Sequence, residues 1–431
     1  INNVLFNYSP LNDQSTKNFR AAHLLPQSST TFTNCRFIGT GYTTNSPGSH
    51  AILAEENTTK LTFDQCIFQD CGYHATQYAI ESTAETFEFI SSQVTYTNST
   101  ANTACCGAIN IHKRCTLIIT DSLFKDILAK NQVSAGILYQ SSYDKIDKLS
   151  CNVEITGTTF DNLGGTNGRA GFFKLAKRMT FSNCTVKNMP DGNYILVIGH
   201  EKRYQGQANL DRIIFVDNKA NCKDGAGGGG IGLWISQTNK CIFNNCEFIR
   251  NTNTGNYHGG ALGYSQDQSK SNSNVGLEFI GCFFQDNKVK SGFHGGSLYI
   301  NAQSKTVKID NCEFSNTIAG ASTKGGAIYI AGATTQDITI TNTQFRNMKA
   351  SETSNDCGNA LFIENGTQNV IIEDCKFINN GGAGSSVCTG GRNVMLQRTT
   401  VTFTTIPNNC KGIYVMNKCH LELIDSTISK C

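Results

Sequence analysis

The stretch Gly325–Asn347, "GGAIYIAGATTQDITITNTQFRN", decides the fold. Near-copies flank it: "GGSLYINAQSKTVKIDNCEFSN" begins at Gly295 and "GNALFIENGTQNVIIEDCKFINN" at Gly358. In "GGAIYI", Ile328 and Ile330 face one way and Tyr329 the other, which is the period of a strand. In "DITITNTQF", Ile338 and Ile340 share a side with Phe345 after a bend at Asn342. Two or three short strands per repeat, each oily on one face and with no amphipathic helix to cover it, do not make a stable sheet alone. They must coil on one another.

The pattern extends along the chain. An apolar segment ending in a small turn residue, any residue and Phe recurs at Phe37, Phe68, Phe124, Phe160, Phe248, Phe284, Phe314, Phe345 and Phe377. Val94, Val186 and Ile428 are weaker versions, and Phe215 stands in a slightly shifted frame. A second segment keeps step with it, from "AILAEE" at Ala51 through "LWISQ", "GGALGY" and "NVMLQ" to "GIYVMN". The interval varies between about 26 and 36 residues, as expected of a constant scaffold with variable loops. The expectation is an all-β chain, a single-stranded right-handed parallel β-helix of about 13 rungs, with residues 1–431 as one continuous domain. Inward Ile, Leu, Val and Phe fill its axis, and Gly-Gly marks a bend where a side chain would collide or φ must be positive. A β-propeller blade of four strands needs about 40 residues, more than these repeats supply.

Lys+Arg 36 against Asp+Glu 33 leaves a net charge of +3, and charged residues are only 16% of the chain. That balance disfavours nucleic acid and acidic membrane as partners. No apolar run approaches the roughly 18 residues of a membrane-spanning helix. Nineteen cysteines, without zinc-type CxxC pairs, point to an oxidising compartment and a secreted or cell-surface protein. Asn7, Asn57, Asn98, Asn183 and Asn365 open N-glycosylation sequons. Cys35 and Cys66 occupy one place in adjacent repeats, as do Cys246, Cys282 and Cys312, while Cys115 and Cys151 match each other. Stacked positions bring Cα atoms into disulfide range, although parallel side-chain vectors suit buried thiols equally well. Cys388 and Cys410 are a further candidate pair, and Cys431 is the candidate for a bond between chains.

The alternation of GGA[ILV] with FxxN, at Gly259-Gly260-Ala261-Leu262, Gly325-Gly326-Ala327-Ile328, Phe215/Asn218, Phe248/Asn251, Phe284/Asn287 and Phe377/Asn380, resembles the repeats of the polymorphic outer membrane protein family. The resemblance implies a β-helical adhesin passenger, as in surface proteins of bacteria and protists. The membrane β-barrel of the bacterial members has no counterpart in this sequence, so autotransport is not expected.

Polysaccharide-cleaving β-helices cluster carboxylates, or a base beside Ca²⁺-holding acids, on one face of successive rungs. Asp310, Asp337 and Asp374 sit near strand ends without a second acid in register and read as solvated turn residues; Gly199-His200-Glu201 is a distant echo of a hydrolase motif. His258 and His294 precede Gly-Gly in adjacent rungs and should stack, but no third metal ligand accompanies them. Trp234, Tyr299, Tyr329, Phe362 and Tyr414 align as an outward aromatic stripe, with Gly263 and Met395 between them. Such a stripe suits sugar rings or another rod. The expectation is a non-enzymatic structural or adhesive glycoprotein without cofactor or metal. Its partners would be host-cell or matrix glycans or proteins, or itself, head to tail or laterally, as an extracellular filament. A polysaccharide lyase or glycoside hydrolase is the alternative.

Overall fold

A computed structural model describes residues 1–7, 20–39, 50–71, 78–97, 107–112, 115–128, 134–140, 152–164, 170–174, 176–190, 195–198, 207–221, 231–233, 240–265, 276–301, 306–317, 320, 323–331, 337–349, 358–381, 384–404, 410–416 and 419–430. Among these residues every regular element is a strand, and the strands pair in parallel as the coils of a right-handed β-helix. The coils group into two compact units, Ile1–Gly206 and Gln207–Cys431.

Both units follow one plan. A five-residue strand such as Asp337–Thr341 turns a tight corner into a three-residue strand such as Gln344–Arg346. After a second corner, a third strand such as Gly358–Ile363 follows. In the first unit the five-residue sheet runs from Ser29–Thr33 to Arg178–Ser182, the three-residue sheet from Leu5–Asn7 to Thr185–Lys187, and the third sheet from Ala22–Leu24 to Leu196–Ile198. In the second unit the corresponding spans are Gln207–Asp211 to His420–Ile424, Ile214–Val216 to Thr427–Ser429, and Ile231–Leu233 to Cys410–Val415.

Register places Phe over Phe. Phe6, Phe37 and Phe68 align in the first unit, and Phe215, Phe248, Phe284, Phe314, Phe345 and Phe377 in the second. Phe215 thus belongs to the column despite its shifted sequence frame; Ile213 fills the place where its neighbours carry Cys. Strand spacing of about 4.8 Å forces the rings into parallel offset stacks. Ring centroids are 4.4 Å apart for Phe37–Phe68, 4.5 Å for Phe248–Phe284 and 4.6 Å for Phe345–Phe377. Each buried ring contributes roughly 1.5–3 kcal/mol. Ile338 and Ile340 point inward beside Phe345, and all three are fully or almost fully buried.

Two left-handed residues bound most of the three-residue strands. Asn342 (φ 50°) and Asn347 (φ 55°) do so in one coil, Asn311 (φ 52°) and Asn316 (φ 54°) in the coil before. Asn, Asp and Gly dominate these corners because they tolerate that conformation best. Where Arg250 and Arg398 stand instead, each forms a two-pronged pair with a carboxylate of the preceding coil, Asp217 and Asp374.

Behind the first corner runs a buried column of Cys, Ser and Thr. Each donates to the carbonyl two residues back, and most also reach a carbonyl in the preceding coil: Ser92 to Ile90 and Phe63, Cys282 to Ile280 and Phe243, Thr399 to Gln397 and Ile372. Behind the second corner the FxxN asparagines form a ladder. Asn251 Oδ1 accepts from the Asn218 side chain (2.9 Å), while Asn251 Nδ2 donates to the Phe215 carbonyl (2.9 Å). Asn287 continues the ladder through the Phe248 carbonyl. These buried amides satisfy backbone groups that the corner would otherwise strand.

The Gly-Gly pair divides two tasks. Gly325 has φ 65°, and a Cβ at Gly326 would lie 2.0 Å from the Asn359 carbonyl oxygen of the next coil. The first glycine permits the turn and the second permits the approach.

Candidate functional site

The polar constellation that stands out lies outside the third sheet of the second unit. The residue before each Gly-Gly is His258, His294 and Lys324 in consecutive coils. Because the turn is locked by coil-to-coil bonds from Gly259 to the His294 carbonyl (2.8 Å) and Gly295 to the Lys324 carbonyl (3.0 Å), the three side chains stack. The imidazoles lie 4.9 Å apart, His258 rests on Tyr299 at 4.4 Å and His294 on Tyr329 at 4.6 Å. Lys324 places its ammonium over Phe362, 4.9 Å from the ring centre.

The imidazole protons follow from the backbone. The amide of His294 donates to Nδ1 of His258 (2.8 Å), and the amide of Lys324 donates to Nδ1 of His294 (3.2 Å). Nδ1 therefore carries the lone pair, and the neutral ring keeps its proton on Nε2. Burial lowers His258 to about 4, with His294 adding to the effect; burial also lowers His294 to about 4, with Lys324 as the second cause. Both rings are neutral at neutral pH and present Nε2–H donors. A metal ion at Nε2 would require the ring to lose its last proton, so the pair is poorly suited to hold zinc. Burial, then Glu364, raises the Tyr299 phenol to about 12, and the same two influences raise Tyr329, whose hydroxyl donates to Glu364.

The expected aromatic stripe is a column, but three of its members are covered. Register aligns Tyr299, Tyr329, Phe362, Cys388 and Tyr414. Tyr299, Tyr329 and Phe362 keep at most 9% exposure, because His258, His294 and Lys324 cover them. They cannot stack on a ligand. Gly232, not Trp234, stands in register with Gly263 and Tyr299, and Trp234 lies outside the described residues. Met395 belongs to the five-residue sheet, opposite Ile371, and Cys388 takes the place assigned to it.

In the first unit a second cluster escaped the sequence reading. Glu81 on the strand Tyr78–Ser82 sits between two imidazoles, 2.8 Å from His50 Nε2 and 3.3 Å from His112 Nε2. Nδ1 of His50 bonds to the Tyr78 carbonyl (2.9 Å), and the Asn110 amide lies 2.7 Å from His112 Nε2. Burial pushes the Glu81 carboxyl up, but hydrogen bonds from His112 and His50 outweigh it and hold the group well below the ordinary range. Residues separated by about thirty positions meet here because each is one coil from the next, a relation visible only once the register is known.

The carboxylates singled out in sequence are occupied. Asp310 accepts from Thr341 (2.7 Å) and Asn342 (3.1 Å) with Lys308 at 3.3 Å, Asp337 accepts from Asn369 (2.8 Å), and Asp374 binds Arg398. Gly199-His200-Glu201 lies outside the described residues. Cys35, Cys66, Cys246, Cys282 and Cys312 are buried free thiols, and Cys115 and Cys388 are buried. Burial pushes the Cys66 and Cys184 thiols up to about 11 and Cys375 up to about 12. Cys410 lies opposite Gly384 in register, whereas Cys388 lies opposite Tyr414. Cys151 and Cys431 are outside the described residues, as is Asn98. Asn7, Asn57, Asn183 and Asn365 are exposed, Asn57 and Asn183 with positive φ.

A family model described as a right-handed beta helix region matches residues 268–431. Comparison with curated proteins gives no match, and neither does comparison with solved structures.

Proposed function

We propose that this protein is a non-enzymatic structural or adhesive β-helix, secreted or displayed at a cell surface. The observation that carries the reading is the use made of its outward charges. Asp310, Asp337 and Asp374, the acids singled out in the sequence, are each held by residues of the next coil, so they stabilise the scaffold and are not free for proton transfer. The repeat resemblance to polymorphic outer membrane protein adhesins and protist surface proteins supports the same reading. Exposed sequon asparagines at Asn57 and Asn365 are accessible to glycosylation. Binding to matrix or host-cell glycans or proteins, and association of the chain with itself, belong to this role.

The test is incubation with a panel of acidic and neutral polysaccharides, followed for new reducing ends and unsaturated products. The expected result is no product; turnover on any of them establishes the lyase or hydrolase alternative instead. Sedimentation over a range of concentrations checks self-association, and a monomer throughout removes the filament from the reading.

A further inference from the structure

We propose that His258, His294 and Lys324 form a binding site for an oxyanion, the sulfate or carboxylate group of an acidic glycan. The inference rests on the binding, non-cleaving role above and names the chemistry of its ligand.

Several cations of this chain are paired with carboxylates. Lys60 sits 2.7 Å from Glu88, Lys240 2.9 Å from Glu278, Arg250 2.7 Å from Asp217 and Arg398 2.8 Å from Asp374. Lys324 has no such carboxylate among the described residues; its neighbours are the Phe362 ring and His294. The two imidazoles share this condition. His258 meets the edges of Tyr257 and Phe293 and the flat faces of His294 and Tyr299. His294 meets His258 and Tyr329, with Lys324 beside it. The carboxylate of this neighbourhood, Glu364, accepts from Tyr329 and acts on the two tyrosines. Three donors thus stand at coil spacing, and none of them is paired with a carboxylate among the described residues.

The donors are fixed in place. Each Nδ1 is held by a backbone amide, each ring is clamped between aromatic faces, and the lysine ammonium sits over Phe362. Preorganised donors bind without the ordering cost that exposed lysines incur. Two neutral N–H groups and one ammonium match an oxyanion, which accepts several hydrogen bonds and carries the missing charge. A metal ion is repelled by the same set, and a neutral sugar leaves Lys324 uncompensated.

Two measurements on the full chain test the site at neutral pH. Inorganic sulfate is titrated while the ring signals of His258 and His294 are followed by NMR; both should shift saturably, and the shift should be lost in Lys324→Met, which keeps an unbranched stem. Binding is then measured to immobilised dextran sulfate, polygalacturonate and neutral dextran. Wild type should bind one or both acidic polymers and not the neutral one. Lys324→Met and the pair His258→Asn/His294→Asn, which retains side-chain acceptors, should bind about tenfold more weakly. Binding to dextran sulfate alone assigns the site to sulfate esters, and to polygalacturonate alone to carboxylates. Silent histidine signals, no binding to either acidic polymer, or variants that bind like wild type overturn the proposal. Those outcomes leave the adhesive role standing, whereas cleavage of either polymer overturns the role itself.

Discussion

At the scale of single residues, the cysteines change meaning. Their column is shared with Ser92, Ser122, Thr158, Thr343 and Thr399, so most coils place there a small donor to one or two carbonyls. Cys246→Ser should therefore stay within about 1 kcal/mol of wild type, while Cys246→Leu overfills the corner and should cost about 1–3 kcal/mol in urea unfolding. The buried thiols Cys66, Cys184 and Cys375, which burial raises, should resist alkylation at neutral pH and react once the chain is unfolded. Histidine gives a second test. His258 and His294 lie near 4 in the folded chain against an ordinary 6.5, so the unfolded chain binds more protons between those values. Their contribution is complete above pH 6.5 and is lost as pH falls toward 4. Asp217, Asp310 and Asp374, lowered from 3.8, lose theirs only below that value. Melting temperatures of wild type should fall through the histidine window, and those of His258→Asn/His294→Asn should fall less.

At the scale of the element, the repeat was legible in the sequence because inward residues alternate with period two and Phe marks one strand per coil. The Gly-Gly reading also named both physical reasons, the turn and the close approach. Frame was harder. "GSSVCT", the strand Gly384–Thr389, is made largely of small polar residues that carry no alternation signal, so "NVMLQ" was taken for it and Met395 was misplaced. The covering of Tyr299 and Tyr329 was also out of reach, since it depends on His258 and His294 projecting from the coil before each tyrosine. The His50–Glu81–His112 cluster needed the register itself. The asparagine ladder yields a prediction at this scale: Asn251→Ala leaves the Phe215 carbonyl and the Asn218 side chain without their partner and should cost about 1–3 kcal/mol by urea unfolding. Gly326→Ala meets the Asn359 backbone and should cost at least as much, with reduced yield of folded protein.

At the scale of the whole molecule, each coil touches its neighbours through the same columns, so stability is a sum of nearest-neighbour terms. Removing the ring in Phe284→Ala, at roughly 3–5 kcal/mol, should speed amide exchange most in the coils of Phe248 and Phe314 and progressively less beyond them. Uniform acceleration throughout the second unit would show that it unfolds as one block. Cys35, Cys66, Cys184, Cys246, Cys282, Cys312 and Cys375 are hydrogen-bond donors in a column, so these thiols do not by themselves argue for an oxidising compartment, and the proposed surface role draws on the sequons and the repeat resemblance. The paired left-handed corners carry a last consequence. Asn311 and Asn316, Asn342 and Asn347, and Asp374 and Asn379 keep one fixed separation, whereas the chain between the second corner and the following third strand varies from coil to coil. Insertions and grafted epitopes are thus rejected within the two-cornered segment and tolerated outside it, both before the third strand and after it, where the chain runs from three residues between Ser82 and Thr86 to eleven between Gln140 and Asn152.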